Sequence, residues 1–275
     1  MCLSLHEIHR KMSLNDWIHE QAQRGVICFS VEQVATVFSN HSSQSLGISI
    51  NRLVKAKKIQ FVHRGFYVII PIQYQLKGLV PPAYYIHELM AYLEKPYYVG
   101  LLSAAAIYGA SHQRAMKTQV VTIGPRPRTS SKNALIDWNY RQTMPSDLLE
   151  RRNGEMGEIV YSSVELTTVD IIQFASNIGG YQRAATVLAE LVDVINMDKM
   201  KEVLQYTKIS TMQRLGYLLE FILSEQEKAN ALYLLLRENG YLGAVCMNPS
   251  QPASSDAKSN RWRVNMNINV EIDEL

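Results

Sequence analysis

The spacing of apolar residues changes period in a recognisable order along the first third of the chain. Ser13-Leu14-Asn15-Asp16 has capping-box spacing, and Leu14, Trp17, Ile18 and Ala22 then recur at helical intervals until Gly25, which predicts a first helix. Ser30-Val31-Glu32-Gln33 repeats the capping spacing, and Val31, Val34, Ala35 and Phe38 predict a second, shorter helix that ends in the polar run 39–43. Ser43 is placed to cap a third helix, with Leu46, Ile50, Leu53 and Val54 on its inner face and Gln44, Ser45, Asn51, Arg52 and Lys55 on its outer face. Gly47 inside that helix lowers its propensity by about 1 kcal/mol relative to Ala, which leaves its start, and with it the placing of Gln44 and Ser45, open. The β-rich runs 59–62 and 66–70, joined by His63-Arg64-Gly65, read as a hairpin. Three short helices followed by a hairpin is the pattern of a winged helix-turn-helix.

Beyond the hairpin, Gly78 and the pair Pro81-Pro82 make a short, stiff connector. A boundary is expected there, with residues 1–78 as one domain and 79–275 as the other. A helix is predicted at about 84–94, and another across 96–110, where small side chains permit close packing. The runs 119–123, 136–140 and 158–161 predict strands of a small sheet. From Glu165 the period turns helical, with stripes over 167–175, 181–195, 198–206, 211–223 and 226–238, and these predict a helical bundle. The last stretch alternates strictly: Trp262, Val264, Met266, Ile268, Val270 and Ile272 fall on one face and Arg263, Asn265, Asn267, Asn269 and Glu271 on the other. Such a one-sided strand is expected to return to the sheet. The predicted fold class is α+β, a winged helix-turn-helix followed by a larger mixed domain with a small β-sheet and a C-terminal helical bundle.

Composition narrows this picture. A chain of 275 residues, 47% of them hydrophobic, is long enough to bury two cores. No apolar run approaches the ~20 residues of a membrane span, and residues 1–10 lack the layout of a secretory signal, so a soluble, cytoplasmic protein is expected. Cys2, Cys28 and Cys246 are scattered and fit neither a disulfide framework nor a ligand spacing. The net charge of +3 is unevenly distributed: residues 1–78 hold nine Lys and Arg against four Asp and Glu, hence +5, which leaves −2 for the remainder. No acid lies between Glu32 and Glu88, while Arg52, Lys55, Lys57, Lys58, Arg64 and Lys77 all do. A local field of one sign suits a polyanion.

In a winged helix the third helix enters the major groove with its N-terminal residues nearest the bases, and the wing reaches the backbone or minor groove. Ser43, Gln44, Ser45 and Asn51 are then candidates to read bases, with Arg52 beside them. Lys55, Lys57 and Lys58 suit phosphates, and His63 and Arg64 occupy the wing tip. A solvated basic face, or a winged helix that docks protein, would show the same pattern residue by residue. It is the combination of fold pattern, acid-free gap and basic tip that favours DNA. Arg126, Arg128 and Lys132 are a candidate second anion-binding patch, or simply a solvated basic loop. The chain has no phosphate-binding Gly-rich loop, HExxH or G-x-S-x-G motif, and Ser103, among Leu102, Ala104 and Ala105, reads as a packing hydroxyl. His6 and His9 have a metal-ligand spacing without a third ligand. Neither an enzyme nor a cofactor or metal site is expected.

Three further segments stand out: Leu53-Val54-Lys55 through Arg64-Gly65-Phe66-Tyr67; Tyr97-Tyr98-Val99-Gly100-Leu101-Leu102-Ser103-Ala104-Ala105-Ala106 with Gly109-Ala110-Ser111-His112-Gln113; and Ser163-Val164-Glu165-Leu166-Thr167-Thr168-Val169-Asp170. In these the chain resembles the AbiEi-type antitoxins of type IV abortive-infection toxin–antitoxin systems. The resemblance spans about residues 50–170. It implies an N-terminal domain that represses its own operon at inverted repeats, and a C-terminal domain that counters a nucleotidyltransferase-like toxin without forming a tight complex with it. The residues alone leave open a ligand-responsive winged-helix regulator unrelated to any toxin.

Overall fold

The structure, a computed structural model, describes residues 12–110, 115–125, 135–154, 157–240 and 242–272. The chain divides into two compact units. Met1–Pro96 with Pro125–Ile136 and Asn153–Ile159 forms one, and Tyr97–Gly124, Asp137–Arg152 and Val160–Leu275 form the other.

In the first unit the element order is α1 (Leu14–Gln23), β1 (Cys28–Ser30), α2 (Val31–Val37), α3 (Ser43–Lys55), β2 (Ile59–His63) and β3 (Phe66–Ile69), followed by α4 (Ile86–Tyr92). Both predicted capping boxes form: Ser13 pairs reciprocally with Asp16, and Ser30 with Gln33. The third helix is capped one residue earlier than expected. Ser42 accepts the Ser45 backbone N–H at 3.2 Å, so Ser43 becomes the first helical residue, and Gly47 lies within an unbroken helix.

Strand β1 was not legible in the sequence, because three residues between two helices carry no periodicity. It pairs antiparallel with β3, which also pairs with β2, to give the order β1-β3-β2. One core holds Leu14, Trp17 and Ile18 of α1, Leu46, Ile50 and Leu53 of α3, and Phe29, Ile59 and Ile69 of the sheet. Trp17 meets Phe29 edge-to-face at 5.6 Å and Phe38 at 6.3 Å. Phe66 and Val68 lie outside this core yet are fully buried. The segment following the hairpin covers that side: the Gln60 side chain accepts the Val80 N–H at 2.7 Å, the Phe66 ring meets Tyr92 in a tilted contact at 5.3 Å, and Tyr85 and Glu88 lie beside Cys28. Residues 80–92 are therefore the second layer of the winged-helix sheet.

The second unit is built on a five-stranded sheet of order β6-β5-β4-β8-β7, from β4 (Tyr97–Val99), β5 (Thr118–Ile123), β6 (Ile136–Arg141), β7 (Leu149–Gly154) and β8 (Gly157–Ser162). The continuous helix expected across 96–110 is corrected here. Tyr97-Tyr98-Val99 is the central strand, pairing antiparallel with 120–122 and parallel with β8 at Val99↔Tyr161, and only α5 (Leu101–Ala105) and a short 3₁₀ turn are helical. Two tyrosines and a valine after Pro96 favour a strand, and the small residues that follow masked the change of period. Strand β7 was missed because Glu150, Arg151 and Arg152 make it polar on both faces, as suits an edge.

Helix α6 (Val164–Gln173) is buried on every side from Val164 to Ile172 and touches α5, α8 (Tyr181–Leu191), α9 (Met200–Leu204) and α10 (Ile209–Tyr217). Between α6 and α8 lies the single-turn α7 (Ala175–Ile178), and α11 (Gln226–Asn239) completes the bundle. The alternating C-terminal stretch does not return to the sheet. Among the described residues its only ladder is a parallel two-residue bridge between β10 (Val264–Asn265) and β9 (Val245–Cys246). Two of its polar positions bind a loop, while Arg263, Asn269 and Glu271 are exposed: Asn265 exchanges hydrogen bonds with the Ser254 backbone, and the Asn267 side chain bonds the backbones of Asn248, Gln251 and Pro252. Trp262 seats against Gly216, where an added Cβ would lie 2.1 Å from its ring, and its indole N–H donates to Glu220 at 2.6 Å. No helix among the described residues is long and apolar enough to cross a membrane.

Candidate nucleic-acid interface

With Leu46, Ile50 and Leu53 turned into the core, helical geometry sends Gln44, Ile48, Asn51 and Lys55 to the opposite face, flanked by Ser45 and Arg52. Ser43, Gln44, Ser45, Asn51, Arg52 and Lys55 are all exposed, and their side chains make no hydrogen bond among the described residues. Arg52 and Lys55 fall in the last turn, where the helix dipole favours positive charge. The structure adds a residue that sequence reasoning did not single out. Ile48, 49% exposed, sits in the middle of this polar face. The available signal was an isoleucine out of phase with the apolar stripe of its helix.

The other candidates are distributed around the unit. Lys57 adopts a left-handed backbone (φ 55°), its ammonium donates to the Leu76 carbonyl at 3.1 Å, and its stem runs past Gly78. Lys58 is exposed on the rim of a cavity beside α1 that also takes in Asn15 and His19. The wing turn is short. Gly65 has φ +81°, its carbonyl accepts the Val31 N–H at 2.9 Å, and an added Cβ would lie 2.6 Å from the Tyr92 hydroxyl. His63 is half-buried with its ring edge-on to Tyr92 at 6.3 Å, and Arg64 is exposed while its carbonyl accepts the Tyr92 hydroxyl at 3.4 Å.

The acid-free gap of the sequence is partly closed in space, because Glu32 at the start of α2 stands beside the wing turn. Desolvation and then the negative charge of Glu32 raise the Tyr92 hydroxyl above its ordinary range, against the pull of Arg64. Arg126, Arg128 and Lys132, like His6, His9 and Cys2, lie outside the described residues.

In the second unit the polar residues turn inward. Tyr98 of β4 donates to Asp170 of α6 at 2.6 Å, Arg141 of β6 pairs with the same carboxylate, and the Arg141 Nη1 donates to the Tyr206 carbonyl at 2.8 Å. Burial pushes the Asp170 carboxyl up while Arg141 holds it down. A guanidinium in contact with the carboxylate fits an ionised pair, so we take the pair to be charged at neutral pH. Glu165 accepts the Asn196 N–H at 3.1 Å, and Ser103 accepts the Gln119 N–H at 2.9 Å. Tyr98, Ser103, Glu165 and Asp170 belong to the sequence segments singled out above, and each is engaged in an internal hydrogen bond.

The fold thus defines a two-unit α+β protein: a small unit with an exposed polar and basic helix face, and a sheet-and-bundle unit whose marked polar residues hold its own elements together. Residues 98–221 match the family of the AbiEi antitoxin C-terminal domain, which supports the resemblance to the AbiEi-type antitoxins. The solved structure of the RV2827C protein from Mycobacterium tuberculosis is similar in fold, with a TM-score of 0.64 over 90% of this chain and 89% of that chain at 14% identity. Comparison with curated proteins returns no match.

Proposed function

We propose that the chain is a DNA-binding autorepressor and the antitoxin of a type IV toxin–antitoxin system. Its N-terminal winged helix reads inverted repeats upstream of its own operon, and its C-terminal domain counters a nucleotidyltransferase-like toxin in the cytoplasm without catalysis and without a tight complex. The observation that carries the DNA half is the outward face of α3, where Gln44, Asn51, Arg52 and Lys55 are exposed and, among the described residues, without side-chain partners. Gln and Asn match the donor and acceptor edges of adenine, and Arg that of guanine. Lys55 and Arg64 are assigned to phosphates, Lys57 and Lys58 to the periphery of the contact, and Ser43, Ser45 and His63 to its edges. The toxin half rests on the family match. Two copies are required on an inverted repeat.

Titration of fluorescent duplex from the upstream region against unrelated duplex, over a series of salt concentrations, tests the first half. Preference for the upstream duplex is expected, and equal binding of both removes the repressor role. Growth rescue on co-expression with the neighbouring toxin gene tests the second half.

A second reading, a regulator that senses a small molecule, is favoured by one feature, the cavity of about 380 Å³ between α1 and the end of β3, lined by Ile18, Ile70 and Ile72 with Asn15, His19 and Lys58 at hand. A ligand that releases the duplex, in the absence of any toxin gene, would favour it.

A further inference from the structure

We infer that Ile48 is a specificity-determining residue that reads the 5-methyl group of thymine in the major groove, an inference that rests on the proposed DNA-binding role. An isoleucine 49% exposed is out of place at the centre of a face made of Gln44, Asn51, Arg52 and Lys55. Nothing among the described residues of its own unit requires it: the core of α3 is complete with Leu46, Ile50 and Leu53 on the other side. The rest of the face fixes its partner. Lys55 supplies positive charge suited to phosphates, and Arg52 and the two amides are matched to base edges, so what meets this face is a polyanion that displays base edges. The thymine methyl is the apolar group that the major groove offers among those edges.

Spacing supports the assignment. Gln44, Ile48, Asn51 and Lys55 follow one another at four, three and four residues, so Ile48 stands one helical turn from an amide on either side. The hydroxyl-free, β-branched side chain has few rotamers to lose on contact. Beside it, Gly47 has open space where a Cβ would be, which allows the helix to approach the base edges closely. The predicted operator therefore carries a thymine flanked by bases that the two amides read.

The test uses the full chain, wild type and Ile48→Ala, with the upstream duplex and with the same duplex in which single thymines are replaced by deoxyuridine, which lacks only the methyl. Ile48→Ala is expected to weaken binding about three- to tenfold while leaving the salt slope unchanged. Deoxyuridine at one position per half-site should weaken the wild type by about as much and Ile48→Ala no further, and Ile48→Val should retain part of the discrimination. Lys55→Ala, as a contrast, should lower binding to every duplex and flatten the slope by about one unit. Equal losses of wild type and Ile48→Ala at every deoxyuridine position, or an Ile48→Ala variant that binds as wild type does, overturns the inference while leaving the DNA role standing. Loss of self-association by Ile48→Ala with thymine discrimination intact assigns the residue to a second copy of the chain and also overturns it. A wild type with no preference for the upstream duplex fails at the earlier step, and both ideas fall together.

Discussion

The two units use polar side chains in opposite ways. In the first, the amides and cations of α3 stand exposed with no side-chain partner among the described residues, on a helix whose position is secured by three apolar residues beneath it. In the second, a tyrosine, an arginine and an aspartate are drawn inside, where β4 and β6 meet α6 on the Asp170 carboxylate and Arg141 also donates to the Tyr206 carbonyl. Exposed groups cost little to keep and are available to a ligand. Buried ones are costly unless satisfied, and once satisfied they specify which elements pack together. Substitutions should therefore divide the same way. Changes on α3 should alter binding with little effect on stability, and changes at the buried network should alter stability first.

The largest effect should come from cutting the chain at the connector. A fragment ending at residue 78 lacks the layer that covers Phe66 and Val68 and leaves Gln60 without its partner at Val80. Exposing two such side chains costs about 3–6 kcal/mol, a large share of the 5–15 kcal/mol that holds a small domain folded. The 1–78 fragment should show no cooperative thermal transition by circular dichroism, whereas a fragment ending at residue 96 should show one; equal behaviour of the two would put the second layer elsewhere. Next in size is Asp170→Ala, which leaves Arg141 buried without its counter-charge and should lower stability by about 3–5 kcal/mol in urea denaturation. A loss below about 1 kcal/mol would show that water reaches the pair, and the contrast between the two units would weaken.

How much of this was legible in the sequence follows the same division. Capping boxes at Ser13 and Ser30, the stripe of Leu46, Ile50 and Leu53, and the Gly65 turn are local signals, and each lies where the pattern placed it. What the sequence did not reveal depends on partners distant along the chain. Tyr97–Val99 was taken for helix because the residues that make it a strand are its neighbours Val120–Thr122 and Tyr161. The C-terminal alternation had the right period for a strand, but Asn265 and Asn267 have a loop backbone to satisfy, and hydrogen bonding overrode the pattern. At the candidate site the basic residues were visible as composition. Ile48 was passed over because an exposed apolar residue acquires meaning only once its face is known, and the gap between Glu32 and Glu88 is a feature of the sequence that the wing turn, beside Glu32, does not share.

The wing gives a smaller and sharper test. Tyr92 belongs to the covering layer, yet its ring lies against Phe66 and His63 and its hydroxyl reaches the Arg64 carbonyl, so the tip that carries Arg64 is held from behind. Tyr92→Ala should raise amide exchange at residues 64–66 and weaken DNA binding a few-fold. In an Arg64→Ala background the same change should have no further effect on affinity, since both act through one contact. Additive losses in this double-mutant cycle would mean that Tyr92 contributes to fold stability alone.

The smallest effect expected is also the one that separates stability from binding most cleanly. Gly47 lies in the interior of α3 with nothing within 4 Å of where a Cβ would stand, so the fold does not need a glycine there. Ala at this position should raise helix propensity and stabilise the protein by up to about 1 kcal/mol, seen as a higher urea midpoint at unchanged slope. If the backbone of α3 approaches the base edges at Gly47, the added methyl should at the same time weaken binding to the upstream duplex while sparing the weak, salt-sensitive binding to unrelated DNA, which depends on Lys55 and Arg64 rather than on close approach. A stabilised variant with undiminished specific affinity would mean that the helix sits higher in the groove, with Gln44, Ile48 and Asn51 reaching bases by side-chain length alone.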